Sequence, residues 1–154
     1  MELRYFEDVV PGDKVTGPSM LMVEEDMVAF AKEWDPLPFH IDREAGRNTF
    51  GSITASGTYV MAVKIKLVHD LPRRHAIIAS GGYDEVRFHE PVRPGDTLTI
   101  GMEWVSKRES NSKPDRGVVT LRFTLTNQDG KIVLSHLDNI LVRKREPTPP
   151  AAPA

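Results

Sequence analysis

Two periodicities order the polar and apolar positions along this chain. Met27, Phe30, Ala31 and Trp34 fall at i, i+3, i+4 and i+7, one apolar face of a short helix that stops at Asp35-Pro36. Glu24, Glu25 and Asp26 precede it, where a helix N-terminus favours negative charge. From Ser56 to Leu71 the chain is apolar almost all round, interrupted by Lys64, Lys66, His69 and Asp70. A helix without a broad polar face is a buried helix. Thr54 and Ser56 are both suited to cap its start, and Pro72 lies just beyond its end.

The second half alternates instead. Ile77 to Gly82 leads into Tyr83–Phe88, and Leu98, Ile100, Met102 and Trp104 then alternate with polar or small residues. Val119, Leu121, Phe123 and Leu125 do the same against Thr120, Arg122 and Thr124. Period-2 alternation predicts half-buried strands. Asn127–Gly130 reads as a hairpin turn, and Lys131 to Arg143 as the last strand, with a bulge where the alternation slips near Asp138-Asn139. An earlier strand-like run, Lys14 to Met22, is broken by Gly17-Pro18. Val10–Asp13 and Pro91–Asp96 are turns, and Glu109–Gly117 is a polar, mobile loop.

Trp34–Asp42 is predicted to be a stiff, extended connection, because Pro36 and Pro38 bias Asp35 and Leu37 away from helix. The chain is expected to stay irregular from Asp42 to Asn48. The proline- and alanine-rich tail, Glu146–Ala154, is expected to be disordered, leaving residues 1–145 as a single domain. One apolar helix beside long amphipathic strands predicts an α+β fold, a twisted antiparallel sheet wrapped around a central helix. Such a sheet has open edges, and dimerisation by edge pairing would cover them.

Composition narrows the function. Of 154 residues, 40% are hydrophobic and 27% charged, which suits a soluble globular domain. A net charge of −2 without a basic run argues against nucleic acid as a partner. The absence of cysteine removes disulfides, thiolate metal sites and a cysteine nucleophile together. Met1–Tyr5 is too polar for a signal peptide, and no apolar run approaches the ~20 residues that span a bilayer, so the expected location is the cytoplasm, away from membranes.

The candidate chemistry lies in Asp35 and His40. A carboxylate and an imidazole on a stiff segment can hold a water or substrate between them, which suits general acid–base work. Alternatively, Asp35 ends a helix and His40 opens the next element. Asp35, His40 and Asp42 would make a sparse metal site, and no metal is expected. Ser56 lacks a nucleophile elbow and reads as a helix cap. His69, His75, His89 and His136 show no partner spacing and read as surface or strand residues.

Asp35, Leu37-Pro38-Phe39 and His40, with Phe50–Gly57 and the run Val86–Phe88, Pro91–Leu98, make the chain resemble the MaoC-like dehydratases over residues 5–145. That family includes the (R)-specific enoyl-CoA hydratases and has the hotdog fold. The resemblance implies reversible addition of water across the α,β double bond of an acyl thioester. Coenzyme A or an acyl carrier protein would be part of the substrate, with no separate cofactor. Asp35 and His40 would be catalytic, and Gly51 and Ser52, at the entrance to the central helix, would meet the substrate and its developing oxyanion. A homodimer or a multiple of dimers is implied. The pairs Arg73-Arg74 and Lys107-Arg108 could meet coenzyme A phosphates but read as solvated surface.

The chain departs from the family's hydratases at Trp34 in place of glycine, at Leu37 in place of asparagine, and at Tyr59 in place of a helix serine. These changes leave two alternatives, a hotdog thioesterase and a non-catalytic thioester-binding or assembly subunit.

Overall fold

The computed structural model describes residues 2–153, so Met1 and Ala154, the ends of the polar N-terminus and of the tail, lie outside the described residues. In chain order the elements are β1 (Glu2–Arg4), β2 (Lys14–Leu21), α1 (Glu24–Trp34), α2 (Pro38–Ile41), α3 (Arg43–Phe50), α4 (Gly57–His69), β3 (Arg73–His75), β4 (Ile77–Phe88), β5 (Thr97–Glu109), β6 (Arg116–Thr126) and β7 (Ile132–Arg143). A single 3₁₀ turn, Phe6–Asp8, follows β1.

Five strands form one antiparallel sheet in the order β2-β5-β6-β7-β4, and β1 pairs with β3 in a short parallel ribbon. Leu98, Ile100, Val119, Leu125, Leu134 and Val142 point to one face of the sheet and are almost fully buried there. Val60, Val63 and Leu67 of α4 pack into the same core. Each such apolar side chain contributes about 1.5–3 kcal/mol on leaving water, which makes the helix–sheet contact the main stabilising layer. This is the hotdog arrangement, a sheet wrapped around a long helix.

Two expectations for the segment ahead of α4 are corrected. Pro38 opens a helical turn, α2, because proline is tolerated at a first helical position where its missing N–H has no partner anyway. Asp42–Asn48 is not irregular: Asp42 Oδ1 accepts the Ala45 amide at 2.8 Å and caps α3, which ends at Gly51 with φ +82°. Arg43 then ties α3 to α1 through two hydrogen bonds to the Glu24 carboxylate, at 3.0 and 2.8 Å.

The alternation of β7 does not slip at Asp138-Asn139. Its pairing with β6 runs unbroken through Leu121↔Asp138 and Thr120↔Asn139. The irregularity lies on β4, between Ser80 and Tyr83. His136 and Asp138 therefore stand on the inner face, buried against α4. Ser56 is the α4 cap, its Oγ accepting the Tyr59 amide at 3.2 Å, and Thr54 is not. Among the described residues beyond Arg143 there is no helix or strand, although the Thr148 amide donates to the Pro114 carbonyl at 2.8 Å.

Candidate active site

Asp35 is carried by the end of α1. Its amide donates to the Ala31 carbonyl at 2.9 Å as the last bond of that helix, and its own carbonyl accepts from Leu37 at 2.8 Å. The side chain stays partly exposed. His40 sits on α2 and is buried. Its Nδ1 lies 2.6 Å from the Thr54 carbonyl. A carbonyl only accepts, so Nδ1 carries a proton, and a ring with that single proton has its lone pair at Nε2. That nitrogen is 3.7 Å from Asp35 Oδ2. The gap exceeds a direct hydrogen bond, yet one oxygen atom can lie within hydrogen-bonding distance of both groups.

Three backbone contacts hold this pair in register with α4. The Thr54 amide donates to the Phe39 carbonyl at 3.3 Å, and the Ala55 amide donates to the Val92 carbonyl at 2.9 Å. α3 also lies directly on the 52–53 backbone: a Cβ on Gly46 would fall 2.7 Å from Ile53 N and 2.9 Å from the Ser52 carbonyl oxygen. Only glycine allows that approach.

His40 opens onto a cavity of about 470 Å³ whose walls include Phe39, Phe50, Gly57, Val60, Phe88 and Val133. Those residues are apolar, and Thr54, His89 and Glu90 add polar groups to the lining beside His40. Gly57 is the first residue of α4, and the leading amides of a helix have no intrahelical acceptor. Gly57 lines the same cavity as His40, a position the sequence reading passed over. The signal was present in Ser56-Gly57, a cap followed by a residue without a side chain.

Gly51 and Ser52 are placed differently from the expectation. The Gly51 amide is already donated to the Arg47 carbonyl at 3.0 Å, terminating α3. Ser52 Oγ donates to the Ile53 carbonyl at 2.9 Å and accepts from Arg93 at 2.8 Å. Arg93 also bonds the Phe50 carbonyl, so both residues serve the bracing of the α3–α4 connection. Neither belongs to the wall of the His40 cavity. Leu37 is exposed, and Tyr59 packs on Phe30 with ring centroids 5.2 Å apart rather than facing that cavity. Burial pushes the Tyr59 hydroxyl's pKa up, as does the nearby Asp26 charge.

The remaining candidates fall outside the pair. Asp42 is committed to capping α3, and no cluster of three or more His, Asp or Glu groups suited to a metal ion occurs among the described residues. No helix of the described residues is long and apolar enough to cross a membrane.

The sequence carries the family signal independently of this geometry. Residues 4–127 match the profile of the MaoC like domain. The chain belongs to the MaoC-like dehydratase family. The MaoC-like dehydratase from Rhodospirillum rubrum superposes with a TM-score of 0.85 at 30% identity, covering 93% of this chain and 99% of that one. Protein MaoC from Klebsiella aerogenes is 34% identical over 99 residues, 63% of this chain but 29% of its own length. Mesaconyl-CoA hydratase from Cereibacter sphaeroides is 42% identical over 74 residues, 48% of this chain and 21% of its own. The chain thus matches under a third of the length of these two curated relatives. Within the MaoC-like family it is related to hydratases and dehydratases, enzymes of the lyase type.

Proposed function

We propose that this MaoC-like domain hydrates the α,β double bond of an enoyl thioester, and dehydrates the corresponding hydroxyacyl thioester, with His40 and Asp35 acting on one water. The observation that carries the reading is the fixed Nδ1–H tautomer of His40, with Nε2 turned toward Asp35 at 3.7 Å. A water in that gap donates one proton to Nε2 and the other to the carboxylate, leaving an oxygen lone pair for C3 of the substrate. As the C3–O bond forms, the water proton passes to Nε2 and the π electrons move onto the thioester oxygen. The enolate then collapses and C2 takes the proton from the imidazolium, so atoms and charge balance over the step. Asp35 orients the water and stabilises the imidazolium between the two transfers.

The thioester oxygen needs a fixed donor while it carries charge. The Gly57 amide at the start of α4 is suited to that role, because the helix N-terminus adds favourable potential and Gly57 lines the His40 cavity. Coenzyme A or an acyl carrier protein supplies the thioester in this reading, and the coenzyme A thioester named for the Cereibacter relative, mesaconyl-CoA hydratase, supports the former. The domain works as a homodimer through the free edge of β4, which exposes Ile77, Tyr83 and Phe88.

Loss of enoyl absorbance with crotonyl-CoA tests the reaction. Hydration without release of free thiol supports it. Thiol release would instead indicate a thioesterase, and binding without turnover a non-catalytic subunit.

A further inference from the structure

Lys64 is an interruption in the apolar pattern of α4, yet its side chain faces the sheet and the residue is only 2% exposed. Its Nζ lies over the rings of Tyr83 and Phe123, 4.6 and 4.7 Å from their centroids, and hydrogen-bonds to none of the described residues. Asp138 faces the same space, accepts from Ser80 Oγ at 2.7 Å, and supports the ammonium charge only from a distance. Burial nevertheless pushes the Lys64 pKa down.

Four buried side-chain nitrogens of the described residues have no hydrogen-bond partner. Both ring nitrogens of His136 lack a partner, and that ring sits 4.9 Å from Tyr83 and 5.4 Å from Phe123, centroid to centroid. His75 Nε2 and Trp104 Nε1 lack partners as well, with their rings 5.4 Å apart. Orphaned groups of this kind are costly, and a native fold keeps them where something else satisfies them. An ammonium and an indole N–H can only donate, and a neutral imidazole always offers one N–H. Lys64 and Trp104 therefore lack an acceptor, and His136 lacks an acceptor at one ring nitrogen and a donor at the other.

Lys64, Tyr83, His75 and Asp138 share a cavity of about 360 Å³ with His69, Arg73 and Arg74, and the rest of its wall is apolar, Leu71 and Ile140 among it. It lies under the C-terminal half of α4. Val60, one helical turn before Lys64, lines the His40 cavity. We propose that this second cavity is a binding site for an organic carboxylate on an apolar body, with Lys64 as its anchor. The carboxylate meets the ammonium and the hydrocarbon meets the apolar wall. The same chemistry serves the far end of a dicarboxylic acyl group whose thioester is held at His40, or a free carboxylic acid. The first source rests on the proposed hydratase reading; the second does not.

The test uses the full chain, as wild type, Lys64→Met and the charge-balanced double variant Lys64→Met with Asp138→Asn. Calorimetric titration with hexanoate reads the free-acid source. Turnover of hexenedioyl-CoA against hexenoyl-CoA, equal in length and differing by a carboxylate for the terminal methyl, reads the thioester source. Wild type is expected to bind hexanoate, or to favour the carboxylated thioester. Either variant that folds should lose that binding or preference by roughly ten- to hundredfold, as for one charged hydrogen bond, with hexenoyl-CoA turnover retained. Turnover of hexenoyl-CoA without either wild-type effect overturns the carboxylate site and leaves the hydratase reading standing. Hexanoate binding with no thioester turnover does the reverse. Unchanged binding and preference in both variants also overturns the proposal.

Discussion

The Nδ1 atom of His40 donates its proton to the backbone carbonyl of Thr54 across 2.6 Å, although the two residues stand 14 positions apart. That bond couples the tautomer of the proposed base to the segment that enters α4. Whatever displaces the 52–55 backbone should disturb Nε2 as well.

Gly46 gives the most direct test of that coupling. Gly46→Ala would drive a Cβ into the Ile53 backbone, at 2.7 Å from N and 2.8 Å from Cα. Overpacking against backbone costs about 1–3 kcal/mol, so urea unfolding should show a stability loss of that order. Activity should fall further than in a destabilised control variant of equal stability, because Thr54 moves with Ile53.

Acid should weaken the fold before the carboxylates titrate. Burial holds the pKa of His136 below the ordinary 6.5, with Lys64 adding to the depression, and burial does the same for His75, with Arg4 adding there. Below that ordinary value the unfolded chain binds protons that the folded chain does not, so stability falls as pH falls. Thermal melts between neutrality and pH ~5 should show that decline, since histidine is the group that titrates there. His136→Phe should flatten part of it; an unchanged slope would show that His136 takes no part.

The proposed homodimer uses the edge of β4. Light scattering should give a mass of at least twice the 17.3 kDa chain, and the melting temperature should rise with protein concentration. A monomer at micromolar concentration would remove edge pairing from the account.

The parts of the fold that were legible in the sequence are those with sustained periodicity. α1 and α4 announce themselves by apolar faces, and β5 and β6 by strict alternation. α2 and α3 were not legible as helices, because one is a single turn led by proline and the other is largely polar; only Asp42 and Gly51, the caps, marked α3. β1 and β3 are three residues each and owe their pairing to tertiary context. His136, Asp138 and Lys64 broke the apolar code because they are polar residues on inner faces. The placing of Asp35 near His40 was readable from the segment and from the resemblance. The Thr54 carbonyl that fixes the imidazole was not, since no spacing rule links residues across a chain reversal.

The central claim is that His40 and Asp35 share one water. The decisive measurement is the hydration rate on a turned-over enoyl-CoA for Asp35→Asn, His40→Ala and the double variant, each confirmed folded by its melting curve. Loss of a positioned acid or base typically costs ~10²–10⁴-fold, so each single variant should fall by that order. Because both groups act on the same water, the double variant should lose little more than the worse single one. Near-wild-type turnover in both folded single variants, or losses that simply multiply in the double variant, would contradict the account.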